Sequence, residues 1–156
     1  MGNQVKHLLI LISFLLLTSP VIGDNHKGEI LYGWGKCCDF VWKGFGDKET
    51  HSKYTGDVGN GVPNGFGIMI FPNGNKYIGD WKDGKWNGQG TFTTSNGSKY
   101  EGELKNGERH GQGTHTYPDG SKYEGEYKDD WELNGTQYDK NGNIKYKYVN
   151  GKQIKQ

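Results

Sequence analysis

Apolar residues are scarce in this chain. Only 31% of its 156 residues are hydrophobic, and so little apolar surface usually leaves a chain disordered, because it does not offset the entropy of ordering. Cysteine is almost missing: there are two, side by side at Cys37-Cys38. That excludes a disulfide framework, and the pair lacks the Cys-x-x-Cys spacing of a redox centre. A vicinal disulfide, a bridge between chains and free thiols all stay open for it. Neither sign of charge dominates, with 19 Lys+Arg against 18 Asp+Glu and a net charge of +1. An electropositive nucleic-acid groove and a steering field are therefore not expected, and no polybasic cluster exists to attract anionic lipid. Beyond residue 23 there is no apolar run approaching the roughly 20 residues of a membrane-spanning helix.

Glycine and aromatic residues are what the chain does have, with 27 glycines and 13% aromatics. They fall at fixed positions. Tyr54, Tyr77 and Tyr100 recur at intervals of 23 residues, and Tyr123 opens a fourth, degenerate copy. The chain divides into repeats over residues 54–76, 77–99 and 100–122, with the damaged copy over 123–145. A fixed period in this range marks a repeat architecture in which each unit leans on its neighbours.

Each unit holds two stretches of period-2 alternation, the pattern of half-buried strands. Tyr77, Gly79 and Trp81 alternate with Lys76, Ile78, Asp80 and Lys82, and one unit later Tyr100, Gly102 and Leu104 alternate with Lys99, Glu101, Glu103 and Lys105. Pro72-Asn73-Gly74, Ser95-Asn96-Gly97 and Pro118-Asp119-Gly120 read as tight turns between units, because such turns demand positive φ. Longer connections such as Asp83–Gly88 are expected within units. The predicted fold is all-β: an elongated, single-layer antiparallel β-meander of hairpin repeats, with glycines leaving room for rings to lie over bare backbone.

The flanks differ from the repeats. Lys6 and His7 precede an apolar run from Leu8 to Leu17 and the small-residue stretch before Gly23. This is the pattern of a signal peptide over residues 1–23, so export to a periplasm or medium is expected. Residues 24–53, with Trp34, Phe40, Trp42 and Phe45, read as an N-terminal cap. Residues 146–156 read as a C-terminal tail or extra strand.

The repeat resembles the MORN (membrane occupation and recognition nexus) repeat, whose pattern is Tyr-x-Gly-x-Trp-x-x-Gly-x-x-x-Gly-x-Gly. Tyr77, Gly79, Trp81, Gly84, Gly88 and Gly90 match it; Tyr100, Gly102, Gly107, Gly111 and Gly113 match with Leu104 in place of Trp. Tyr54, Gly56, Gly61, Gly65 and Gly67 match with Val58 there. The resemblance implies non-catalytic work: scaffolding, self-association, or binding of phospholipid surfaces as in arrays attached to phosphatidylinositol phosphate kinases.

No catalytic constellation, cofactor or metal site is expected. His110 and His115 have no nucleophile beside them in a known motif, and Asp80, Glu103 and Glu126 read as a solvated comb of acids paired with lysines. Candidate contact residues are the aromatic face, Tyr77, Trp81, Phe92, Tyr100, Tyr117, Tyr123 and Tyr127, with core packing as its main role. Trp86, Arg109 and Trp131, expected in loops, are candidates for contact alone. The expected partner is another protein or a second copy of the chain; a membrane surface is the alternative, and nucleic acid is not expected.

Overall fold

The computed structural model of the protein describes residues 26–36 and 39–155. The expected signal segment and the Cys37-Cys38 pair lie outside the described residues. Twelve strands make one antiparallel sheet, and no helix occurs among the described residues. In chain order they are β1 (His26–Trp34), β2 (Val41–Lys43), β3 (Ser52–Gly59), β4 (Val62–Ile70), β5 (Lys76–Lys82) and β6 (Lys85–Thr93). They continue as β7 (Lys99–Lys105), β8 (Glu108–Thr116), β9 (Lys122–Lys128), β10 (Trp131–Tyr138), β11 (Ile144–Val149) and β12 (Lys152–Lys155). From β3 to β12 the strands pair strictly with their neighbours in sequence, while β1 docks on β3 and carries β2 at the outer edge. The single-layer meander is as expected.

The turns are not arranged as the sequence suggests. The tightest connections lie inside the units, where Asn60-Gly61, Asp83-Gly84 and Asn106-Gly107 hold both central residues at positive φ, the geometry of two-residue hairpin loops. β5 therefore runs to Lys82 and β6 begins at Lys85, so no long loop follows Asp83. This corrects the placing of Trp86, Arg109 and Trp131, which stand on strands β6, β8 and β10. Asp129-Asp130 makes the same turn with no glycine, at φ 49° and 69°. Asp130 offsets that strain by accepting the Arg109 backbone N–H at 2.9 Å.

The registers align one bare stripe across the sheet. Gly56, Gly67, Gly79, Gly90, Gly102, Gly113, Gly125 and Gly135 are consecutive cross-strand partners. The tyrosines that open the units lie across this stripe. The Tyr77 hydroxyl donates to the Asp80 carbonyl at 2.9 Å and that of Tyr100 to Glu103 at 2.8 Å, with Tyr54 and Tyr123 bonding their own counterparts alike. Tyr54, Tyr77 and Tyr123 are fully buried, although the sheet has no second layer. A Cβ at Gly113 would stand 2.5 Å from the Tyr100 hydroxyl oxygen and 2.7 Å from its ring, well inside van der Waals contact. Glycine weakens a strand in itself; here it lets the sheet bury a ring against its own backbone.

Between Gly79 and Trp81 the register slips, and the same slip recurs in β3 and β7. An acidic side chain caps each of these bulges. Asp57 accepts the Phe66 N–H at 3.1 Å, Asp80 that of Gln89 at 3.0 Å and Glu103 that of Gln112 at 3.1 Å. The expected lysine-paired comb is thus corrected: these acids hold backbone groups that the irregular ladder leaves over. The lysine pairs belong to the neighbouring acids, as with Lys99 and Glu101 at 2.7 Å. In the fourth copy, one residue short, the slip narrows and Glu126 instead accepts the Asn134 side-chain amide at 2.7 Å.

Candidate functional site

Register and the 23-residue period put equivalent side chains in rows on the ring-bearing face. Tyr77 pairs with Phe92 and Trp81 with Trp86; one unit on, Tyr100 pairs with His115 and Leu104 with Arg109. In the first of these units the rings form a continuous network. Trp86 stacks on Tyr77 at 4.4 Å and 15°, and Trp81 stands edge-on to Tyr54 at 5.1 Å and to Tyr77 at 5.3 Å. The N-terminal residues lie over this network. Trp42 meets Tyr54 at 5.9 Å and Trp81 at 5.7 Å, Phe40 meets Phe71 at 6.4 Å, and Asp39 reaches Lys85 at 3.8 Å. The edge hairpin β1–β2 therefore curls back over β4–β6.

The network stops at Leu104. A second ring cluster, Tyr100, Tyr123, Tyr127 and Tyr148, packs edge-on at 5.1–5.3 Å. Among the described residues no ring contact joins it to Trp86 and Phe92. Between the clusters lies an open cavity of about 370 Å³, walled by Trp86, Phe92, Tyr100 and Leu104 on its apolar side and by Ser98, Arg109, His115 and Asp130 on its polar side. A cavity of this size, mainly apolar with a few convergent polar groups, is the form that ligand sites take.

The polar wall is internally matched. Arg109 donates from Nε to Asp130 Oδ1 at 3.0 Å and from Nη2 to the Asp130 carbonyl at 2.8 Å, while its guanidinium lies 5.0 Å from the Tyr127 ring centre. His115 Nε2 and Ser98 Oγ share a hydrogen bond of 2.7 Å. Burial, reinforced by Arg109, holds the His115 imidazole below its ordinary 6.5 and therefore neutral. Burial also pushes the Tyr100 hydroxyl up to about 12, against the pull of Arg109.

The predicted contact residues divide by burial. Tyr77, Trp81, Trp86, Tyr100, Tyr123 and Tyr127 are buried, so most of what they do is hold the sheet together. Trp86 is only 8% exposed, as a strand residue in the core. Phe92, Arg109 and Tyr117 are half-buried, and Trp131, at the start of β10, is 79% exposed. The cavity unites Trp86, Phe92, Tyr100 and Arg109 and leaves Trp131 outside. Sequence reasoning missed Leu104, Ser98, His115 and Asp130 as its walls. The signal was present in the period: Leu104 stands where Trp81 does, and His115 where Phe92 does. No group of three His, Cys, Asp or Glu side chains capable of holding a metal occurs among the described residues. No helix among them is long and apolar enough to cross a membrane.

Residues 54–76, 77–99 and 100–122 each match the family model of the MORN repeat. The chain carries three MORN repeats. Such repeats are binding modules and not catalytic units. A search of curated proteins found no match to the chain.

Proposed function

We propose that this MORN-repeat protein is an exported, non-catalytic binding or scaffolding module, and that its ring-bearing face beyond Trp86 receives a protein partner or a second copy of the chain. The observation that carries this reading is the uneven cover of that face. Phe40 and Trp42 lie over the rings of β4–β6, whereas the cavity beside Leu104 opens immediately beyond them. Exposed, mainly apolar concavities rimmed by polar groups are where partners bind. Export rests on the N-terminal pattern around Lys6, Leu8–Leu17 and Gly23.

Selection of displayed peptides on the full chain tests the binding reading, with sedimentation of anionic and neutral vesicles as the contrasting arm. Peptides that compete for one surface, and whose binding Arg109→Glu weakens, are the expected result. Co-sedimentation with vesicles and no enriched peptide would favour a membrane surface instead. N-terminal sequencing of the protein recovered outside the cytoplasm is expected to begin at Asp24.

A further inference from the structure

The face beyond Trp86 is a damaged copy of the face before it, and the damage is specific. Moving from one unit to the next along the rows, Trp81 becomes Leu104, Phe71 becomes Thr94, Trp86 becomes Arg109 and Phe92 becomes His115. All four changes shorten or thin the side chain, and the backbone registers around them are the same. The lost volume is the cavity of about 370 Å³. One unit earlier the corresponding space holds rings: Trp81 itself, and Trp42 brought in from the edge strand β2 so that its indole nitrogen approaches Gly84. Gly107, the counterpart of Gly84, lines the open cavity. The cavity is thus the continuation, one unit on, of the seam that the chain's own N-terminal hairpin already fills.

We propose that the cavity is a seat for one aromatic side chain, supplied by an extended segment of a protein partner and packed between Trp86 and Arg109 as Trp42 packs beside Trp81. This rests on the protein-binding reading above and names what the partner presents. Three features select the occupant. The apolar walls are rings, Trp86, Phe92 and Tyr100, and elsewhere on this face rings pack on one another at 5–6 Å between centres. The charge of Arg109 is already met by Asp130 at 3.0 Å, so the seat asks for an uncharged group and not for a free acid. The Ser98–His115 pair offers a hydrogen-bonding edge suited to an indole N–H or a phenol.

The test uses the full chain, with N-acetyl-tryptophanamide as the ring probe, N-acetyl-leucinamide as the aliphatic control and indole-3-acetate as a free ring acid, read by amide chemical shifts. Expected are saturable shifts at Tyr100, Leu104, Gly107 and Arg109 with the tryptophan amide, and at least tenfold weaker binding of the leucine amide. Leu104→Trp restores the missing ring; it is expected to abolish those shifts and to raise Tm by roughly 2–4 °C. Thr94→Phe, which narrows the same space from the turn between β6 and β7, should weaken the probe too and guards against a misfolded first variant. Shifts that never saturate, binding by Leu104→Trp and Thr94→Phe equal to that of wild type, or tighter binding of the acid than of the amide would each overturn the proposal. The peptides selected above separate the two levels: peptides that bind wild type and Leu104→Trp alike overturn the ring seat and leave protein binding standing. A selection that yields no peptide at all, beside a probe that still saturates, removes the protein-binding reading instead.

Discussion

From Tyr54 to Trp86 the ring-bearing face is roofed by Phe40 and Trp42, whereas from Tyr100 to Tyr148 the same rows carry Leu104, Arg109, His115 and Glu132, and no ring of the N-terminal hairpin reaches them. The backbone beneath is common to both regions: the same glycine stripe, the same tyrosine hydroxyl bonds, the same acid-capped slips. The other face changes along the same axis. Ile30, Thr55, Ile68 and Ile78 form a cross-strand row near the N-terminal edge, which continues as Thr91, Glu101, Thr114 and Glu124. A repeat can therefore keep its fold through the tyrosine–glycine seat and vary everything else. Stability is concentrated in the seat, and recognition is free to occupy the rows around it.

Substitutions that sharpen this contrast fall in order of size. Trp86→Ala removes a buried indole stacked on Tyr77, and a loss of about 3–5 kcal/mol is expected in urea unfolding. A loss below about 1 kcal/mol would return Trp86 to the surface role first expected of it. Gly90→Val and Gly113→Val test whether the seat is equal in both regions. Each would drive a side chain into the ring of Tyr77 or Tyr100, at a cost of about 3 kcal/mol, the upper end of overpacking. Matched losses support a common seat, and a tolerant Gly113 would break it.

Trp42→Ala strips the roof from the covered region alone. Trp42 is only half-buried, so about 2 kcal/mol is expected, roughly half the cost of a fully buried tryptophan. Arg109→Ala is the corresponding change in the open region, removing a partly exposed ion pair and a cation–π contact. Its expected cost is about 1 kcal/mol, and a larger loss than for Trp42→Ala would reverse the assignment of which region depends on its cover.

The smallest effect is in pH. His115 is held neutral in the fold, so the unfolded chain takes up its proton more readily. Stability is present above 6.5 and declines as the pH falls below it. His115→Phe is expected to flatten this acid limb. The alkaline limb has the opposite sign and should survive that change. Burial raises the Tyr100 and Tyr117 hydroxyls from 10.0 to about 12, so stability present below 10.0 is lost as the pH rises toward 12. Tyr54 and Tyr77 in the covered region are raised by burial as well, so both regions share this limb. Thermal melts from pH 5 to 11 would check both.

Strand existence, antiparallel pairing and the choice of buried face could be read from the chain because alternation and period are local properties. Tyr77, Gly79 and Trp81 had to share a face whatever the rest of the chain did. Trp86 was misread because Asp83-Gly84 and Asn87-Gly88 both look like turn signals. Only the ladder between β5 and β6 decides that the first turns the chain and the second lies in a slipped strand. For the acids, Asp80 looks free in sequence. Its backbone partner, the Gln89 N–H, is exposed only once the register slips.

The amino-acid sequence alone thus determined a glycine-striped, single-layer meander, since the 23-residue spacing of tyrosine and glycine admits one pattern of burial. What the tertiary structure decided is where that meander is covered. Phe40 and Trp42 are separated from Trp81 by some 40 residues, and no local pattern tells an edge hairpin to curl over the fifth and sixth strands. The cavity beside Leu104 is set by the same event, because a missing ring becomes an opening only where nothing else in the chain arrives to fill it.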